Sequence, residues 1–117
     1  METKYLNEPI HQMVIYHCEQ FVKEKGENIS TSQLRKIFGE IKYIQSDFEK
    51  NKIRIPLLLP NLAYHVGKNP QLRNLYDEIK DLLIELSKDI NNREKFERFV
   101  QIFEIIISYH KFYFPNK

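Results

Sequence analysis

The sequence predicts an all-α protein, a compact bundle of about five helices, four long and one short. Apolar residues recur at helical spacing along most of the chain, and no stretch alternates apolar and polar residues as a half-buried strand would. Three glycines and five prolines are also too few for a turn-dense β fold. At 117 residues the chain reads as one helical domain, 1–117, with eight Phe and seven Tyr to fill a single core.

Taken in order, Glu8–Lys25 reads as the first helix, with Pro9 near its start, Gly26 as its C-terminal stop, and Ile10, Met13, Val14, His17 and Phe21 as its buried stripe. Ser30 followed three residues later by Gln33 has the form of a capping box. This cap, rather than a glycosylation acceptor, explains Asn28-Ile29-Ser30. It opens a second helix expected to run to Lys50, with Leu34, Ile37, Phe38, Ile41, Ile44 and Phe48 along its buried side. Asn51–Arg54 reads as a short basic connection, and Leu57–Val66 as a short helix with Pro60 in its first turn and Gly67 at its end. Asn69-Pro70 opens the fourth helix, whose stripe of Leu72, Leu75, Tyr76, Ile79, Leu82, Leu83, Leu86 and Ile90 is the most regular in the chain. Asn91 and Glu94 then resemble a second capping box, opening a last helix to about Phe112.

The last helix is apolar on two sides. Phe96, Phe99, Val100, Phe103, Ile106, Ile107 and His110 make the expected inner stripe, while Ile102, Ile105, Tyr109, Phe112 and Tyr113 lie elsewhere around the axis. The terminal helix of so small a domain is not expected to be covered all round. Ile102, Ile105, Tyr109 and Phe112 are therefore predicted to meet another subunit, including a further copy of this chain.

Charge is unevenly spread. The net +2 of the whole chain hides a middle third, residues 30–74, that carries eight basic residues against three acidic ones. That is the distribution expected of a polyanion-binding protein. Within the second helix, advancing about 100° per residue puts Arg35 and Lys42 on one flank. Lys36, Tyr43 and Lys50 fall on the far side, and Glu40 with Asp47 on the other flank. Gly39 and Ser46 lie between the two basic sets and leave a strip bare of bulk. Charge and phase thus nominate Lys36, Lys42, Lys50, Lys52 and Arg54 as phosphate contacts.

Other chemistry finds no support. His17 and His110 fall on buried stripes, where a hydrogen-bonded core histidine is the expected role, and His11 and His65 have no second ligand at i+3 or i+4. Zinc needs three or four converging donors, so no metal or cofactor is expected. No P-loop, H-E-x-x-H or nucleophile motif is present, so no catalytic residue is nominated and the protein is not expected to be an enzyme. The single cysteine, Cys18, has no partner for an intramolecular disulfide, and Met1–Glu8 lacks the apolar core of a signal peptide. A cytoplasmic protein without a membrane span is the expectation.

Three segments, in order, carry a family resemblance: Thr31-Ser32-Gln33-Leu34-Arg35-Lys36, Leu62-Ala63-Tyr64-His65-Val66-Gly67-Lys68, and Phe103-Glu104 with Ser108-Tyr109-His110-Lys111. Together they resemble the small subunit of the type III-A CRISPR effector, the Csm complex. The resemblance implies a non-catalytic helical subunit, aligned in several copies along the complex, that helps hold guide (crRNA) and target RNA while other subunits cut. It adds Arg35, Lys68 and Lys111 to the RNA-binding set. Where relatives often carry lysines around the proline, this chain has Leu59 and Asn61. A purely protein-binding scaffold, working through the last helix alone, is the alternative.

Overall fold

Four helices begin where a side chain takes up a backbone N–H that the helix itself leaves without a partner. The computed structural model describes residues 1–117 and contains helices and no strand. α1 is Gln12–Lys25, and His11 Nδ1 accepts from the Met13 N–H at 3.2 Å. α2 is Thr31–Ser46, opened by the predicted capping box. Ser30 Oγ accepts from the Gln33 N–H at 3.1 Å, and Gln33 Oε1 accepts from the Ser30 N–H at 3.0 Å. α3 is a single turn, Phe48–Asn51, capped by Asp47. α4 spans Leu58–Lys68, α5 Arg73–Ser87, and α6 Arg93–Tyr113, with Asn92 accepting from the Lys95 N–H at 3.1 Å. Short 3-10 turns at Thr3–Leu6, Lys52–Leu57 and Pro70–Leu72 complete the path.

Several boundaries differ from those expected, each for a local reason. α1 starts at Gln12 because His11 is the cap, and its Nε2 donates back to Glu8 at 2.8 Å, leaving Pro9 outside. The stretch expected to run unbroken from Ser30 to Lys50 breaks at Asp47, which has φ −151° and ψ 81°. Ser46 Oγ at 2.6 Å and the buried Asn51 amide at 3.1 Å both donate to the Tyr43 carbonyl, so the last turn is satisfied without continuing. The basic connection is a 3-10 turn containing Pro56, and α4 passes through Gly67 to Lys68. Asn92, one residue later than expected, caps α6, and Lys95 stands where a reciprocal box would need Glu or Gln.

α6 is the central element. α1 and α2 pack along it, while α5, with α4 and the Lys52–Leu57 turn beside it, forms the other layer. Phe96, Phe99, Val100, Ile102, Phe103 and Ile106 of α6 are all buried. Ile102 is thus a correction: expected at a subunit contact, it is fully buried, its carbonyl facing Cys18 Sγ of α1. α1 turns a different face inward than expected, burying Val14, Cys18, Phe21 and Val22 and leaving Met13 exposed. A buried cysteine behaves as a small apolar side chain, and it completes an i, i+4, i+7, i+8 stripe. The polar-looking N-terminal segment also contributes Tyr5 and Leu6 to the core.

His110 does take the expected core role. Its Nε2 lies 2.7 Å from the Ile29 carbonyl and 3.1 Å from that of Gly26. Both partners accept only, so Nε2 carries the proton. Gly26 is the C-cap of α1, with φ −90°, so no left-handed turn is involved. Glycine suits it because a Cβ would stand 2.7 Å from the Val22 carbonyl oxygen.

Phe103, fully buried, stacks on Phe38 of α2 with ring centroids 5.6 Å apart. Phe103→Ala is expected to cost about 3–5 kcal/mol of stability. The exposed Phe112→Ala should stay within about 0.5 kcal/mol. Urea unfolding midpoints compare the two, and equal effects would refute this account of the core.

Candidate nucleic-acid interface

α2, the Lys52–Leu57 turn and the start of α4 enclose a groove of about 580 Å³. Lys36, Gly39 and Tyr43 of α2 form one wall, and Arg54, Leu57 and Asn61 face them. A smaller depression of about 230 Å³ adjoins it, sharing Lys36 and adding Gln33, Lys68 and Asn69. Three of the eight nominated cations, from three different elements, line this surface: Lys36 and Arg54 the groove, and Lys68, with Lys36, the adjoining depression; groove and depression together are the trough. All three are exposed and none is paired with a carboxylate.

The wheel reading put Glu40 away from this surface, which is a correction. Glu40 lines the same groove, and its Oε1 lies 3.3 Å from His65 Nε2 of α4. That contact stitches the two walls together and occupies the one carboxylate in the groove. Gly39 opens the trough: a Cβ there would meet nothing within 4 Å, so no packing demand explains a glycine in mid-helix.

The other nominated cations lie apart from the trough. Arg35 and Lys42 are exposed on the opposite flank of α2, where Lys42 Nζ sits 5.7 Å from the Phe38 ring centroid. Lys50 is exposed on α3, off the α2 axis because of the break at Asp47. Lys52 is half-buried and held by Glu49 at 2.8 Å. Lys111, at the end of α6, donates to the Pro115 carbonyl at 2.9 Å.

Tyr43 lines the groove, and Tyr64 lies beside Lys68 of the adjoining depression without lining either cavity. Tyr43 is 51% exposed, with the Arg54 guanidinium 5.1 Å from its ring centroid. Tyr64, on α4, is 62% exposed, with Lys68 Nζ 4.9 Å from its centroid. Tyr43 shares the helical phase of Lys36, a signal legible in sequence. Asn51, which holds the Tyr43 carbonyl, carries no such signal, since an asparagine after a helix reads as any turn residue.

The outer face of α6 is smaller than expected. With Ile102 in the core, Ile105 and Tyr109 are half-buried and Phe112 is 73% exposed. Tyr113 donates to Glu19 at 2.5 Å, and that carboxylate, first among the causes, holds the phenol above its ordinary pKa.

No group of three or more His, Cys, Asp or Glu side chains is placed to hold a metal ion. His17 pairs with Glu78 at 2.5 Å across α1 and α5. Cys18 is fully buried, and burial pushes its thiol up to about 12. No helix is long and apolar enough to cross a membrane.

A family model described as Csm2 Type III-A matches residues 8–116, a span that includes all six helices. No curated protein and no solved structure matches the chain.

Gly39→Ala is expected to stabilise the protein by up to about 1 kcal/mol, because helix propensity rises and nothing is displaced. A lower denaturation midpoint would mean that packing requires the glycine. The raised Cys18 pKa means that the native thiol stays protonated while the unfolded one ionises, so its contribution to stability is whole below about pH 8.5 and is lost as pH climbs toward about 12. At pH 8 a thiol-specific disulfide reagent should label Cys18 only when urea unfolds the chain. Native labelling as fast as that of a free thiol would contradict this burial.

Proposed function

The chain belongs to the Csm2 family, the small subunit of the type III-A CRISPR complex, and from that membership we propose that its trough between α2 and α4 grips the sugar-phosphate backbone of RNA held in the complex. The subunit binds guide or target RNA without reading sequence and without catalysis, and several copies lie side by side along the RNA. The observation that carries this reading is the convergence of Lys36, Arg54 and Lys68 on one trough with no carboxylate partner for any of them. Cations left in water by the fold remain available to phosphates. Each phosphate they neutralise releases a counterion, which supplies affinity that depends on salt and not on base identity.

Arg35 and Lys42, on the other flank, widen the positive field and steer RNA toward α2. Lys50 and Lys111 contribute as peripheral charges, and Lys52, held by Glu49, contributes least. Partner subunits, including further copies of the chain, pack against Ile105, Tyr109 and Phe112. The exposure of Phe112 favours this protein-binding role as a second reading in its own right.

Replacing Lys36 and Arg54 together by Gln should weaken binding of single-stranded RNA of random sequence at least tenfold at low salt. It should also flatten the plot of log affinity against log salt by about 0.7 for each cation lost. Phe112→Asp should leave that binding intact and reduce incorporation into the complex. If the double variant binds RNA as the wild type does and only Phe112→Asp has an effect, the subunit is a protein scaffold.

A further inference from the structure

We infer that the trough takes unpaired bases as well as backbone, on two tyrosine platforms, so that it prefers single-stranded RNA to a paired duplex. The inference rests on the RNA-binding reading above and specifies which form of RNA that site accepts. Four aromatic side chains are exposed, Tyr16, Tyr43, Tyr64 and Phe112, and only Tyr43 and Tyr64 have a cation over the ring. Neither ring belongs to the core or packs against it, so folding does not account for them.

The position of each ring suits a nucleotide. Tyr43 lines the trough itself, with its backbone pinned by the Ser46 and Asn51 bonds to its carbonyl. Tyr64 lies on α4 just outside the trough's lining and is joined to it through Lys68, which lines the adjoining depression. Arg54 and Lys68 hold the rings by cation–π contact and are also trough cations. Each tyrosine and its cation thus offer a flat apolar face for a base, with a positive charge beside it for the attached phosphate. Every base has a π face, so stacking of this kind tolerates any sequence. In an A-form duplex the base faces are stacked inside, and such platforms have nothing to bind. Tyr16 lacks this context: it borders a cleft with Glu24 and Glu78, which repel phosphate.

The test uses the full chain and two probes, a fluorescent 12-nucleotide oligo(U) and a 12-base-pair RNA duplex. Tyr43→Ala and Tyr64→Ala should each weaken single-strand binding about tenfold and duplex binding less than twofold. Tyr43→Phe and Tyr64→Phe should stay within twofold on both probes. A 2-aminopurine placed in the single strand should be quenched by the wild type and not by the double alanine variant. Equal losses on both probes would overturn the inference, as would no loss on either while the Lys36 and Arg54 replacements still abolish binding. Either outcome leaves a phosphate groove and no base platform. Failure of the wild type to bind either probe would instead overturn the RNA-binding reading, and this inference with it.

Discussion

The seating of α2 on α6 is the constraint on which the proposed RNA-binding surface depends. Leu34, Ile37, Ile41 and Ile44 are buried on one side of α2, and Phe38 lies flat on Phe103 with 7° between the ring planes. With that side committed, helical geometry leaves Arg35, Gly39, Lys42 and Ser46 facing water and places Lys36 and Tyr43 on the shoulder toward α4. The start of α2 is fixed just as firmly. His110, inside the core, holds the Gly26 and Ile29 carbonyls immediately before the Ser30 cap, and the Thr31 N–H donates to the Lys117 carbonyl at 3.1 Å. The C-terminal end of α6 and the residues after it thereby fix the start of the helix that carries the cations.

The break at Asp47 turns a ridge into a trough. Had α2 continued to Lys50, the chain would have run on past the surface. Instead α3 and the 3-10 turn fold back and bring Arg54 and Leu57 opposite Lys36 and Tyr43. Asn51 makes this possible by satisfying the Tyr43 carbonyl from within the fold. Stability is given up at the same place: Gly39 weakens a helix, and Leu57 is more than half exposed. Local departures of this kind gather where a surface serves something other than folding.

Much of the architecture was legible from sequence because the relevant signals are local. The Ser30–Gln33 box and the stripe of Leu75, Ile79, Leu82, Leu83 and Leu86 rest on neighbours within a few residues, and helical phase alone put His110 inside, where it is found. What was missed depends on contacts distant in sequence. The end of α2 requires Asn51 to reach back eight positions, and no periodicity announces that. Ile102 was assigned to an outer face on the argument that a terminal helix stays partly uncovered, yet α1 lies along α6 and closes over it. Glu40 was placed off the basic surface by the wheel, which knows nothing of α4 or of His65. The trough itself was not legible, since helical phase orders residues within one helix while Lys36, Arg54 and Lys68 come from three elements. Charge distribution singled out residues 30–74, and the fold sets Lys36, Arg54 and Lys68 of that stretch apart from its other cations.

The most direct measurement of the central claim is photocrosslinking inside the assembled complex. A type III-A complex carrying this subunit would be loaded with 4-thiouridine-substituted RNA and irradiated, and crosslinked peptides of this chain identified by mass spectrometry. The account predicts attachment within α2 and the Lys52–Lys68 segment, at or beside Lys36, Tyr43, Arg54, Tyr64 and Lys68. Attachment confined to α1, α5 or the outer face of α6, with none on the trough, would contradict it.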